Sequence, residues 1–264
     1  MAKKSLIIFL FFILAAPLLA HEFWLQPERF IYQPGETINL RFWVGENFEG
    51  NNWGGNHTRI NSLQLYLDGV TDDLSNQLSD EKGDSLQLAL YDEGTAMITF
   101  NSNNSFIELE ADKFNSYLQD DGMQNVIDYR TKHHETDSAG KEAYQRSVKT
   151  IVQVGDTKNN ISYTTTLPLD IIPLTNPYLL KDTGSLAVRV LFKKTPLSNQ
   201  FVQVWQRTGD STVRQSYHTN ENGEFSFTVN TTGKWMVSTV RMVRLNKDGA
   251  NWQSYWGSCT WGYE

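Results

Sequence analysis

The residues best suited to chemistry lie at the junction Leu19-Ala20-His21-Glu22-Phe23-Trp24. The chain before it has a short basic start, an apolar run from Leu6 to Leu14 and small residues up to Ala20, a pattern typical of a secretion signal. Cleavage after Ala20 would make His21 the first residue of the mature chain. Its α-amine and imidazole could then bind one metal ion together, because both nitrogens lose protons near neutral pH at modest cost.

Two nitrogen donors are too few for tight binding, so the sequence must supply further ligands. His57 ends a polar loop of glycines and asparagines from Gly45, and His218 precedes the turn Asn222-Gly223. The alternative for each is an ordinary surface histidine. We expect a metal site at His21, with His57 and His218 as additional ligands. Nitrogen donors in a tetragonal arrangement favour Ni(II) and Cu(II).

Other groups with metal-binding side chains are less suited to the task. His133-His134-Glu135 and Asp137 form the densest cluster, but adjacent side chains point apart in regular structure, so we expect a solvated loop. Glu22 is expected to be an exposed carboxylate. Cys259, the single cysteine, is expected to be a small core residue.

Composition excludes several classes of function. The formal net charge is −7, a sign that repels nucleic acid and anionic membrane and attracts cations. A single cysteine leaves no intrachain disulfide, which suits a bacterial periplasm. After the signal there is no second long apolar segment, so we expect no membrane span in the mature chain. No phosphate-binding glycine loop, paired-histidine zinc helix or nucleophile elbow occurs, so we expect no enzymatic activity.

The periodicity of apolar residues predicts a mainly β chain. Ile38, Leu40 and Phe42 alternate with polar neighbours, as do many later runs, which indicates strands with one buried face. From Ala111 the period becomes helical, with a break at Gly122.

A proline-rich stretch from Pro168 to Asp182 indicates a boundary near residue 180. We expect a signal peptide over residues 1–20 and an N-terminal β-rich domain over 21–180, with a short helical insertion around 111–147. The C-terminal part, 181–264, has strands at about ten-residue spacing, which predicts an immunoglobulin/transthyretin-like β-sandwich. The fold class is therefore mainly β, with two β-sandwich-like domains.

The order of several motifs resembles that of the exported proteins of domain-of-unknown-function family 4198. These motifs are His21-Glu22-Phe23-Trp24, the stretch Tyr144 to Gly155, the segment Gly184 to Trp205, the stretch Thr219 to Phe227 and the ending Trp252 to Trp261. The resemblance implies a periplasmic protein of two β-rich domains, associated with nickel and cobalt uptake. Arg241 stands where the family often carries a histidine, a departure that weakens any transfer of a ligand there.

The sequence thus predicts a periplasmic protein that binds nickel, cobalt or copper and supports uptake through an inner-membrane transporter. One alternative is a module that binds carbohydrate or another envelope protein without metal, with Trp53, Trp252 and Trp256 as exposed stacking residues. A second alternative is a copper-dependent polysaccharide oxygenase, since such enzymes also begin with histidine.

Overall fold

The computed structural model describes residues 22–83, 85–159, 161, 165–247 and 249–264. This part of the chain is mainly β, with eighteen strands and two short helices, α1 (Ala111–Asp120) and α2 (Gln124–Lys132). The strands are β1 (Glu22–Pro27), β2 (Ile31–Tyr32), β3 (Thr37–Glu46), β4 (Glu49–Asn52), β5 (Ile60–Leu67), β6 (Val70–Asp73), β7 (Leu86–Ala89), β8 (Gly94–Ser102), β9 (Ser105–Leu109), β10 (Gly140–Val154), β11 (Leu169–Pro173), β12 (Thr183–Phe192), β13 (Thr195–Pro196), β14 (Phe201–Thr208), β15 (Ser211–His218), β16 (Glu224–Asn230), β17 (Lys234–Lys247) and β18 (Ala250–Gly262).

The strands form three sheets. Sheet A has the order β1-β3-β4, with β7 also paired to β3. Sheet B is the largest, with the order β15-β14-β17-β18-β10-β8-β5-β6 and with β2 and β9 paired to β10. Sheet C has the order β11-β12-β13, with β16 paired to β12. Sheet B therefore runs through the whole molecule, and sheets A and C pack against it.

Two apolar layers hold the sheets together. Between sheets A and B the core includes Phe42, Phe100 and Val152, and between sheets B and C it includes Val188, Val237 and Trp261. The predicted alternation on β3 is confirmed, since Ile38, Leu40 and Phe42 are buried while the residues between them are not. These are the two sandwich-like layers expected for a mainly β fold.

The two helices cover one face of sheet B. Phe114, Tyr117 and Leu118 form the buried side of α1 and pack with Met242 and Trp252 of β17 and β18. Both helices and the break between them lie where the helical period predicted them. Neither helix in the described ranges has the length and apolar character needed to cross a membrane.

The segment 140–147, expected in the helical insertion, is part of β10. Gly140 is the first residue of this strand. A Cβ atom there would lie 2.3 Å from the ring of Phe114, so this position needs glycine for α1 to pack so closely. Pairing with β9 on one side and parallel pairing with β18 on the other then decide the conformation. The residues that separate α2 from β10 are turns.

The polar stretch 45–57 contains a hairpin where a loop was expected. Asn47 and Phe48 have positive φ angles of 56° and 60°, as in a type I′ turn, and they join β3 to β4. Phe48 is buried against Trp24. Burial of the Phe48 side chain therefore stabilises the conformation of this turn.

The turn at Asn222-Gly223, whose composition is typical of a β-hairpin, does not join paired strands. It joins β15, which pairs with β14 in sheet B, to β16, which pairs with β12 in sheet C. The side-chain oxygen of Asn220 accepts the N–H groups of Asn222 and Glu224 at 2.9 and 3.0 Å, which stabilises the crossing. Sheet B holds strands from both sides of residue 180, and the domain boundary there stays a prediction.

A buried ion pair joins sheets B and C. Lys149 on β10 donates to Asp170 on β11, and both side chains are almost fully buried. Thr165 donates its N–H and hydroxyl to the other oxygen of Asp170, each at 3.0 Å. The carboxylate therefore has partners on both oxygens, which a buried charge requires.

Candidate functional site

Glu22, the first described residue, is buried at 9% exposure, so the expectation of an exposed carboxylate is wrong. The cause is the way in which β1 crosses sheet B. The Ser258 hydroxyl donates to the carbonyl of Phe23 at 2.7 Å, and the Thr260 hydroxyl donates to the carbonyl of Leu25 at 2.9 Å. These bonds hold the start of β1 against sheet B, so the side chain of Glu22 is covered.

The alternation of β1 directs Glu22 and Trp24 to one side, over β14 and β17. Trp24 packs against Trp205 and Met236. The Ser238 hydroxyl donates to Oε1 of Glu22 at 3.5 Å and accepts the indole N–H of Trp205 at 2.9 Å. Since the indole occupies a lone pair of the hydroxyl, the hydroxyl proton is free to point at the carboxylate.

A small cavity of about 10 Å³ adjoins the Glu22 carboxylate, room for about one water molecule. Its lining comes from β1, the turn after α1, and strands β14, β17 and β18. The lining residues are Glu22, Phe23, Asp121, Phe201, Gln203, Ser238, Thr239, Val240, Trp256 and Gly257. Two carboxylates therefore share this space.

Asp121 reaches the cavity because the chain turns sharply after α1. Gly122 has a φ of +64°, and a Cβ atom there would lie 2.4 Å from the ring of Phe201. Glycine meets both demands, a left-handed backbone and a close approach. The sequence predicted the break at Gly122 but not that the preceding aspartate would face Glu22, which lies far away along the chain.

Glu142 is a third carboxylate nearby, and it is buried, at 3% exposure. Its Oε1 accepts the Tyr117 hydroxyl at 3.2 Å and also the Ser254 hydroxyl. The Trp256 indole donates to the same Ser254 oxygen at 3.2 Å. Burial raises the pKa of Glu142 from 4.5 to about 7 despite these hydrogen bonds.

Burial is the largest cause of the raised pKa values of the three carboxyl groups, and Asp121 is also repelled by the charges of the other two. Burial raises the pKa of Glu22 from 4.5 to about 7, and burial together with the nearby charges of Glu22 and Glu142 raises the pKa of Asp121 well above its usual value. Arg214 opposes both shifts, but this arginine lies 3.8 Å from Glu46 and stacks over Trp205. The region therefore favours a proton or a cation in the space between the acids.

Of the three predicted histidine ligands, the structure describes two. His21 lies outside the described residues. His218 ends β15 and contacts Phe201 of the cavity lining edge-on, with ring centroids 5.5 Å apart. His57 lies in a single helical turn elsewhere, where its Nδ1 is 2.8 Å from Oδ1 of Asp80.

The remaining candidate residues lie where their side chains pack against neighbours. His133 stacks on Tyr129 at 3.9 Å on the surface, as expected of a solvated loop. Cys259 is fully buried, and burial raises its thiol pKa to about 12, which fits a core residue. Trp252 and Trp256, exposed stacking residues in the carbohydrate-binding alternative, are buried under the helices and cannot take that role.

Within the described ranges, no three histidine, cysteine or acidic side chains lie close enough to hold a metal ion. What the geometry shows is a set of acids directly after His21, formed by the buried Glu22 and Glu142 and the half-buried Asp121, which we call the acidic region.

By its fold and its site, the chain is a mainly β protein with an acidic region at the start of its first strand. The sequence profile described as "Domain of unknown function (DUF4198)" matches residues 18–242. The chain belongs to that family, as its motif order indicated. No curated protein matches the chain.

Solved structures give only weak likenesses. The D0-D1 domain of Intimin is 13% identical, with 90% of this chain and 97% of that chain covered at a TM-score of 0.21. A putative carbohydrate binding protein from Bacteroides uniformis is 7% identical, with 80% and 93% covered at a TM-score of 0.21. Likenesses of this size carry no argument about function.

Proposed function

We propose that this chain is an exported periplasmic protein that binds a divalent transition-metal cation at the start of its mature chain. His21 supplies an amine and an imidazole nitrogen, and the acidic region supplies negative charge beside them. The cation is nickel or cobalt, with copper as a further candidate. The protein passes the ion to an inner-membrane uptake transporter and catalyses no reaction of its own.

The observation that carries this proposal is the pair of carboxylates at the cavity next to position 21. Glu22 follows His21 directly, and Asp121 faces the same small space from the turn after α1. A cation bound at the α-amine of His21 would stabilise the charged forms of these two acids, which burial disfavours. Divalent metals that are bound by nitrogen donors also accept carboxylate oxygens as further ligands.

His218 is the better placed of the two additional histidines. It contacts Phe201, which lines the cavity beside Glu22. His57 already has a carboxylate partner in Asp80 and lines no part of the cavity. We therefore rank His218 above His57 as a third nitrogen donor.

The test is calorimetric titration of the chain that starts at His21 with Ni(II), Co(II) and Cu(II). A second form carries one extra alanine before His21, which keeps the imidazole but moves the amine out of the chelate. We expect the extra alanine to weaken binding by at least about tenfold. We expect Asp121→Asn to weaken it by about 10 to 100-fold, as loss of a supporting group does at metal sites.

His134→Ala is the matched control, because His134 is exposed on the turn after α2 and should not affect binding. Equal affinity with and without the extra alanine would contradict a site at His21. Failure of all three metals to bind the verified His21 form would contradict the metal-binding function altogether.

A further inference from the structure

Two adjoining depressions on the N-terminal half form one surface groove. They have volumes of about 360 and 550 Å³ and share Thr58 and Arg59. The first is floored by Gly54 and Gly55, and the second lies between the turn after β8 and the strand β9. Each volume falls in the range of about 300 to 1,000 Å³ that is usual for small-ligand sites. We call these depressions together the Arg59 groove.

The Arg59 groove is positively charged on an acidic protein. The chain has 30 aspartates and glutamates, yet none is among the described residues that line either depression. Arg59 and Lys82 both line the groove, both are exposed, and neither forms an ion pair within the described ranges. Such a lining favours an anionic ligand.

A second guanidinium lies next to Tyr144, which borders the groove. Arg146 is held between the rings of Phe23 and Tyr144, at 4.7 and 5.2 Å from their centroids, and has no carboxylate partner in the described part of the chain. Burial lowers the pKa of Arg146, and the charge of Arg59 lowers it further. An anion in the groove would therefore reduce a repulsion between two arginines.

Aromatic rings line the same groove. Phe106 is 67% exposed, although it lies on a strand, and Tyr144 borders the same depression. Trp53 is packed against Phe23 and Phe100 at 5.8 and 5.3 Å, which keeps its ring rigid at the groove wall. Exposed and rigid aromatic faces of this kind stack on the apolar faces of rings in a ligand.

Close packing against glycine fixes this wall. A Cβ atom on Gly55 would lie 2.1 Å from the Trp53 ring, whereas one on Gly54 would meet nothing within 4 Å. The glycine backbone therefore supports the tryptophan on one side and stays open on the other. The groove is preformed in this structure, which lowers the cost of binding.

We propose that the Arg59 groove binds an acidic saccharide, with a uronate carboxylate at Arg59 and a sugar ring on Phe106. Guanidinium and carboxylate groups pair through two parallel hydrogen bonds, which gives strength and orientation. A nucleic acid is the less suitable ligand, because its affinity depends on many phosphate contacts and the chain is acidic overall. This site is separate from the acidic region at Glu22.

The test is calorimetric titration with an oligogalacturonate, with a neutral oligosaccharide of equal length and with oligothymidylate. A chelator is present throughout, so that metal ions cannot bridge the uronate to the protein. We expect the oligogalacturonate alone to bind, with an affinity that falls as salt is added.

Arg59→Gln should weaken binding by about tenfold or more, as loss of a charged hydrogen bond does. Phe106→Ala should weaken it by about 5 to 100-fold, as loss of one stacked ring does. The matched controls are Arg29→Gln, which removes an exposed arginine that pairs with Glu36, and Tyr91→Ala, which removes a ring that is 79% exposed elsewhere. Neither control should change the affinity.

Several outcomes would overturn the proposal. They are no binding of the oligogalacturonate, equal binding of the neutral oligosaccharide, tighter binding of oligothymidylate, and equal losses in the variants and their controls. Correct folding of Arg59→Gln and Phe106→Ala is verified by unchanged thermal unfolding, which both exposed positions allow.

Discussion

Replacing Glu142 by glutamine should remove much of the pH dependence of this protein's stability. Glu142 is buried, and its pKa in the fold is about 7 against 4.5 for a free side chain. Between these two values the folded chain holds a proton that the unfolded chain has lost. The free energy of unfolding therefore falls as the pH rises from about 4.5 to about 7.

The magnitude follows from the shift in pKa. One unit corresponds to about 1.4 kcal/mol, so the buried carboxyl of Glu142 should cost about 3 kcal/mol of stability above neutral pH. Glutamine has the same shape and stays neutral, and its oxygen can still accept from Tyr117 and Ser254. Glu22 and Asp121 shift in the same direction, so the variant should keep part of the dependence.

The assay is urea unfolding at about pH 5 and pH 8, which bracket most of the window set by linkage. We expect wild type to lose more stability than Glu142→Gln between the two values, by about 2.5 kcal/mol. The matched control is Glu108→Gln, which makes the same change at an exposed position. The same pH dependence in Glu142→Gln and wild type would refute the assignment of the buried proton to Glu142.

Three further predictions concern the fold and the alternative functions. Lys149→Met should destabilise the fold by about 3 to 5 kcal/mol in thermal or urea unfolding, because Asp170 would be left buried without its partner. The double variant with Asp170→Leu should recover most of that loss, and additive losses would contradict the explanation. Gly122→Ala should cost at least about 1 to 2 kcal/mol, from the left-handed backbone and the close ring of Phe201; a neutral effect in the same assay would show that the turn after α1 is loose. With copper and ascorbate, no oxidised sugars should be released from polysaccharide in mass spectra, and their appearance would favour the oxygenase alternative.

Local sequence pattern was enough for most of the strands and for both helices. Ile38, Leu40 and Phe42 alternate because one face of β3 is buried, and Gly122 ends α1 because its conformation is left-handed. These features depend on neighbours within a few residues, so the sequence displays them directly. The mainly β class followed from the same patterns.

Pairing between distant strands could not be read from local pattern. The turn at Asn222-Gly223 has the composition of a hairpin, yet its two strands enter different sheets. Residues 140–147 form a strand because β9 and β18 lie on either side of them. Such choices depend on contacts between strands that are far apart in the chain, such as Glu142 of β10 beside Trp252 of β18.

The candidate site was predicted only in part. The importance of position 21 followed from the signal pattern, and it stays a prediction because His21 lies outside the described residues. Asp121 and Glu142 gave no signal of their own, since a carboxylate in a helix end or a strand is ordinarily exposed. Asp121 and Glu142 come near Glu22 because α1 and β1 both pack on sheet B, which contains β10.

The most direct test of metal binding at His21 is electron paramagnetic resonance of the mature protein with one equivalent of Cu(II). The chain that starts at His21 should give a tetragonal spectrum with hyperfine splitting from at least two nitrogen donors, and acetylation of its α-amine should remove that signal. A spectrum that is unchanged by acetylation, or one without nitrogen splitting in the unmodified protein, would contradict the account.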